Sequence, residues 1–387
     1  MINIRIAFIR LSSSVELNLS TASTNTLGTE LRVGLFKSLL DHGHTIKVYS
    51  GIRKQDYKLT KSTSLFPDPS TDWTKKIEYE PLETPREEDL LIIEQGTDNV
   101  RFSYNNGKED ISYIKRTFDC INDWEGDLIY YQHGALPFPF RTKDASVDTI
   151  NNLRNLNKRT ELFKNKHWTI WHHFTNWDHY LSLKDNPYQP FLDKLNFHFT
   201  LVPYSNIEPY FQVRQNPEWD SLFVGSQWDS RSTKQGFERA KEVQDLYDVP
   251  GLNNVIIGKW EHKATKKFKH LQYLGQRGSH GDAYRFWNNA YTCIYTTSPV
   301  IKQCGLLPTR LTMANRGGAI VLADDTLHCA PTFTSPEYYV HNKTDVKQKI
   351  NWIKAMSPAE RDEHRELQLG KFPNWKDIDI NKILTNI

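Results

Sequence analysis

The sequence predicts an α/β protein made of two doubly wound halves, each a parallel sheet wrapped by helices, facing one another across a cleft. Three observations carry that prediction. Short apolar runs alternate with amphipathic stretches along the chain. Glycine and polar residues recur where the apolar runs end. The alternation breaks once, between Pro203 and about Pro217, in a segment rich in turn formers. A length of 387 residues also exceeds what one core usually holds.

Ile2–Ile9 predicts the first strand, because Ile4, Ile6 and Phe8 alternate with Asn3, Arg5 and Ala7. A polar loop runs to Gly28. Glu30–His42 predicts a helix from the spacing of Leu31, Leu35, Leu39 and Leu40, stopped at Gly43. Thr45–Tyr49 completes a βαβ unit. Gly51–Pro85 is polar and irregular. Asp89–Ile93 is a strand ending at Glu94, Asp110–Cys120 a helix, and Leu128–Tyr131 a buried strand. Lys166–His173 and Phe197–Val202 are further strands.

The second alternation starts at Ser221. Strands are expected at Leu222–Val224, Asn254–Ile257, just before Gly275, at Thr292–Thr296 and at Ala319–Ala323. Helices are expected at Thr233–Leu246, His280–Asn289, Thr309–Asn315, Thr344–Met356 and Pro358–Gly370, with Trp375–Leu384 closing the chain. The stretch before Thr309 reads as flexible.

Composition narrows the classes. The net charge is +3, with Lys+Arg 49 against Asp+Glu 46, which does not by itself demand nucleic acid. The four cysteines (Cys120, Cys293, Cys304, Cys329) are scattered, which suits free thiols in a reducing compartment. No signal pattern or long apolar run is read, so a cytoplasmic, monomeric protein that avoids membranes is expected. His167, His172 and His173 lie among Trp168, Trp171 and Trp177, which favours aromatic packing over a metal cluster. Lys263, Lys266, Lys267 and Lys269 form a basic run, read as a solvated face with a DNA-backbone contact as the alternative.

Ligand chemistry should sit at strand C-termini. Gln132 and His133 follow the strand at Leu128–Tyr131, and Gly134, Pro137 and Pro139 turn the chain there. In the second half, Gly225-Ser226-Gln227-Trp228-Asp229-Ser230-Arg231-Ser232-Thr233-Lys234 follows a strand and opens a helix. Backbone amides at that helix start, with Arg231 and Lys234, form a diphosphate cradle. Gly258 ends the next strand. Gly275-Gln276-Arg277-Gly278 offers an amide-lined wall, and Arg310 at a helix start offers a fixed guanidinium.

These residues carry a resemblance. Two domains around a cleft, with Arg231, Lys234 and Arg310 on the second, look like a GT-B glycosyltransferase. Phe36–Ser50 is similar to the first helix and second strand of phage DNA β-glucosyltransferases. Leu90–Ile93 through Ile129–Phe140, ending in Leu136-Pro137-Phe138, keeps their order and spacing. Val224–Arg231 resembles their Gly-Gly-Ser-Phe-Arg-Ser loop, and Thr312-Met313-Ala314 with Ala319–Asp324 matches their later half. Tyr131-Gln132-His133 resembles instead the Gln-His-Asp of the α-type.

The resemblance implies two Rossmann-like domains. Residues 1–205 would bind the acceptor DNA and residues 206–365 a nucleotide sugar, with 366–387 a helix returning to the first domain. It implies sugar transfer from a UDP-sugar to 5-hydroxymethylcytosine in double-stranded bacteriophage DNA within an infected bacterial cytoplasm, the target base being flipped out. The alternative is a GT-B enzyme for a surface glycan or small molecule. Donor contacts would come from Gly225, Ser226, Arg231, Lys234, Gly258, Gly275, Gln276 and Arg310. Acceptor contacts would come from Glu30, Gln132 and Arg141. Mg2+ or Mn2+ could assist the diphosphate, but no residues are assigned to a metal. The sequence departs from the pattern where the relatives carry a catalytic Asp, because Gly134 and Ala135 stand there. His133 is then the nearest base, with Glu94 and Asp98 as rivals. Leu311, Thr312 and Met313 replace the ribose-binding Glu, so glucose and a pentose such as arabinose both stay open as the donor sugar.

Overall fold

The structure is a computed structural model of the 387-residue chain. It describes residues 3–10, 27–50, 76–81, 84, 86–94, 103–105, 108–110, 119–131, 166–183, 188–197, 211–227, 234–276, 280–297, 299–307, 309–374 and 378–384. For 10, 27–33, 50, 103–105, 108–110, 190, 196, 197, 234–236, 280–282 and 309 only the backbone is described.

Two parallel sheets are present, as the alternation predicts. The first contains β1 (Arg5–Arg10), β2 (Thr45–Ser50), β3 (Glu78–Pro81), β4 (Leu90–Glu94), β7 (Asp127–Tyr131), β8 (Trp168–Trp171) and β9 (Leu195–Phe197). Its order is β3-β2-β1-β4-β7-β8-β9. Between β4 and β7 lies an antiparallel pair, β5 (Ser103–Asn105) and β6 (Lys108–Asp110). The expected helix from Asp110 is therefore corrected at its start. Asn106-Gly107, between the two strands, is the hairpin signal that should have decided it. Residues 111–118 fall outside the description. So do 198–202 of the expected Phe197–Val202 strand, which begins earlier, at Leu195.

Helix α1 (Leu27–Asp41) covers one face of this sheet. Its apolar stripe buries Leu35, Phe36 and Leu39, and the Phe36 ring meets Phe8 of β1 edge-on, with centroids 4.7 Å apart. On the other face, Ile9, Leu91, Ile93, Tyr130, Trp168 and Ile170 build a second apolar cluster. Central strands β4 and β8 are buried along their whole length, which is why they read as mostly apolar runs rather than alternations. Helix α2 (Trp177–Ser182) follows β8.

The second sheet contains β10 (Trp219–Val224), β11 (Asn254–Ile257), β12 (Leu271–Tyr273), β13 (Ala290–Tyr295), β14 (Ile320–Asp324) and β15 (Tyr339–Val340), in the order β12-β11-β10-β13-β14-β15. Its helices are α3 (Lys234–Tyr247), α4 (His262–Thr265), α5 (His280–Asn288), α6 (Pro299–Cys304), α7 (Thr309–Gly317), α8 (Lys343–Ala355), α9 (Pro358–Leu369) and α10 (Ile380–Leu384). Helix α9 starts with a capping box between Ser357 and Glu360, behind Pro358. The sequence reading missed α6. Its six residues are helical, with Ile301, Lys302 and Cys304 buried, where flexibility was expected.

The two sheets touch beyond the C-terminal ends of β8 and β13. Phe174 and Leu306 form an antiparallel bridge. Thr175 N–H donates to the Gly305 carbonyl at 3.0 Å, and Asn176 N–H to the Cys304 carbonyl at 3.0 Å. Ile380 and Leu384 of α10 share an apolar cluster with Ile6, Phe8 and Leu35.

Candidate nucleotide-binding floor and acceptor face

The second sheet gathers glycines at three adjacent strand ends. Gly225 follows β10, Gly258 follows β11 and Gly275 lies two residues past β12. They are bonded to one another's strands. Gly225 N–H donates to the Ile257 carbonyl at 2.9 Å, and Gly258 N–H to the Gly275 carbonyl at 3.0 Å. Packing requires glycine at Gly258, and at Gly225 a side chain would displace Arg310. A Cβ at Gly258 would collide with the Gly225 backbone, and one at Gly225 with the Arg310 guanidinium. Positive φ values of 156° and 146° point the same way. Two aromatic residues fix this floor from below. Trp260 Nε1 donates to the Gly225 carbonyl at 2.7 Å, and the Tyr273 hydroxyl to the Gly258 carbonyl at 3.0 Å. Gln227 is buried and its Oε1 accepts from Glu261 N–H at 3.0 Å.

Cations converge on this floor. Arg310, in the first turn of α7, places its guanidinium carbon 4.5 Å from the Phe223 ring centroid. Arg239 of α3 lies 5.4 Å from the same ring and is 1% exposed. Burial, and then the neighbouring Arg310, pull the Arg239 guanidinium well below its ordinary value. Arginine keeps its proton in proteins, so two guanidinium charges sit against Phe223 together. Such a pair attracts an anion, and a diphosphate has the matching charge.

Arg239 was missed in the sequence. The signal was present: it occupies the stripe of α3 that carries Val243 and Leu246, both buried. A cation on an apolar stripe calls for an explanation.

Of the other donor candidates, Ser226 and Gln276 are exposed beside the floor, and Lys234 opens α3. Arg231 lies outside the described residues. On the first sheet, Glu94 ends β4, is 0% exposed and lies in register with Tyr131 of β7. Glu30 lies within α1. His133, Asp98, Gln132 and Arg141 lie outside the described residues, with His133 two positions beyond the end of β7.

The aromatic packing expected around the histidines is found at His172 and His173, whereas His167 is exposed. His172 and His173 are 0% exposed, and His172 stacks on Trp177 with ring centroids 3.8 Å apart. His172 Nδ1 accepts from Phe174 N–H at 3.2 Å, which requires that nitrogen to be unprotonated. Burial pushes the His172 pKa down to about 3. The unfolded chain therefore binds a proton that the folded chain refuses, so stability is full above about pH 6.5 and falls as pH drops toward 3. The expected result is a melting temperature that declines below pH 6, with a loss of order a few kcal/mol by pH 4. His172→Phe should flatten that decline. An unchanged acid profile in the variant would show that His172 is not its source.

Two parallel sheets, each carrying helices, form a two-domain Rossmann-like fold of the GT-B type. The β-glucosyltransferase of T4 phage, solved with UDP and Mn2+, superposes with a TM-score of 0.64 at 15% identity, covering 95% of this chain and 95% of that chain. An α-glucosyltransferase solved with UDP and a 13-mer DNA containing a HMU base gives 0.56 at 12% identity, covering 98% of each. A sucrose-phosphate synthase of Thermosynechococcus elongatus gives 0.57 at 11% identity, covering 99% of this chain and 98% of that chain. No family profile and no curated sequence matches the chain.

Proposed function

We propose that the protein transfers a sugar from a UDP-sugar to the hydroxymethyl group of 5-hydroxymethylcytosine in double-stranded DNA. The observation that carries the reading is the meeting of Gly225, Gly258 and Gly275 with Arg239 and Arg310 at the C-terminal edge of the second sheet. The likeness to two glucosyltransferases, one a DNA-modifying enzyme and one solved on DNA, supports the acceptor. No helix among the described residues is long and apolar enough to cross a membrane.

In this reading the diphosphate rests on the glycine floor. Arg310 and Arg239, with Arg231 and Lys234 from the loop and helix start, neutralise its charge as the bond from sugar C1 to the diphosphate oxygen breaks. The acceptor hydroxyl attacks C1 and gives its proton to His133, whose ordinary pKa lies near neutrality. Glu94, at the end of β4, is the alternative base on that edge. A cytosine stacked inside a duplex is out of reach, so the base is flipped into the cleft. Among the described residues no group of three His, Cys, Asp or Glu could hold a metal ion. The division proposed is 1–205 for the acceptor, 206–365 for the donor and 366–387 as the returning tail.

Sucrose-phosphate synthase shares the fold, so a small-molecule or glycan acceptor is the competing reading. Incubation with labelled UDP-glucose or UDP-arabinose and DNA, with and without 5-hydroxymethylcytosine, separates the two. Label is expected only in the hydroxymethylated DNA. Donor turnover with small acceptors and none with DNA would favour the second reading.

A further inference from the structure

Helix α6 belongs to both domains at once. Its apolar side enters the first domain: Ile301 and Cys304 are 4% and 0% exposed within the cluster of Ile9, Leu91, Tyr130 and Phe174. Its cation enters the second. Lys302 Nζ lies 2.6 Å from Glu242 Oε2 of α3 and also bonds Asp324 at the end of β14, and Thr296 Oγ1 donates to the same Asp324 oxygen at 3.0 Å. The chain beyond α6 then crosses to the first domain. Leu306 bridges Phe174, and Leu307 N–H donates to the His173 carbonyl at 3.2 Å. Thr175 Oγ1 donates to the Gly305 carbonyl at 3.1 Å and lies 2.8 Å from His328 Nδ1. Gly305 has φ 67°, and a Cβ there would collide with Thr175 Oγ1. Arg310 of the donor floor follows only five residues later.

We propose that α6 and the Gly305–Leu307 crossing form a fixed pivot that sets the spacing between donor floor and acceptor face, with Lys302 and Gly305 as positioning residues for transfer. The proposal rests on the sugar-transfer reading. A buried apolar contact and a buried ion cluster on one short helix are not broken and remade at each turnover; any opening of the cleft rotates about them. A misplacement of 1 Å in such a system costs about 10² in rate, while the nucleotide site, built within one domain, is untouched.

Two variants test it. Thr175→Cys with His328→Cys, oxidised, should form a disulfide across the joint and keep both UDP affinity and transfer rate. No disulfide, or activity regained only on reduction, would overturn a fixed pivot. Gly305→Ala should keep the Kd for UDP and the KM for UDP-sugar and lower kcat at least tenfold. Spin labels on Asp119→Cys and Gln348→Cys, exposed sites on the two domains where the native cysteines are buried, should then show a broadened interdomain distance. Lys302→Gln should follow Gly305→Ala, and Lys302→Arg should restore kcat. If Gly305→Ala does not fold, Thr175→Ala should show the same broadening in milder form. A distance distribution as narrow as wild type in these variants overturns the proposal. Broadening in a protein that transfers no sugar to any acceptor would instead fault the sugar-transfer reading.

Discussion

His133→Ala is expected to bind UDP as wild type does and to transfer sugar about 10²–10⁴ times more slowly. The two halves of that result have separate causes. The proposed nucleotide site is the edge of the second sheet, at Gly225, Gly258 and Arg310. His133 follows β7 of the first sheet, beyond Tyr131. All strands of that sheet are parallel, so the C-terminal end of β7 at Tyr131 lies on the same edge as Glu94. That edge meets the second domain through His173, Phe174 and Thr175. In the proposed reading a base on that edge would serve the acceptor and leave the uridine site alone. His133→Asn should keep part of the positioning and lose the basicity. Steady-state rates at saturating donor, with UDP titrations alongside, check both halves. Transfer at the wild-type rate in His133→Ala would move the base to Glu94 or Asp98.

Much of the fold is legible in the sequence for one physical reason. In a doubly wound sheet the interior strands are buried on both faces, so they are apolar without interruption and end at glycine or a polar residue. Asn254–Ile257 followed by Gly258 is read to the residue. Leu128–Tyr131 and Ala319–Ala323 are read to within one position. The glycine floor is legible for the same reason, since ligands approach backbone at those ends.

What escapes the sequence depends on distant neighbours. Pro299-Val300-Ile301-Lys302-Gln303-Cys304 is too short to show helical periodicity, and it is ordered by the core of the other domain. Arg239 is hidden because α3 reads as an ordinary amphipathic helix until Phe223 and Arg310 are placed against it. Lys302 looks like a surface lysine until Glu242 and Asp324, 60 and 22 residues away, close on it.

The central claim is that the second sheet's strand ends hold the diphosphate of a nucleotide sugar, and titration calorimetry of UDP into wild type and Arg310→Ala tests it most directly. Arg310 lies against Phe223, its guanidinium directly over Gly225, and among the described residues no ion pair neutralises it. A charge-assisted contact of this kind contributes about 1.5–3 kcal/mol, so the Kd for UDP should rise about 10–150-fold. Uridine, which lacks the diphosphate, should bind both proteins with equal, weaker affinity. Equal UDP affinity in wild type and Arg310→Ala, or no UDP binding by wild type, would contradict the account.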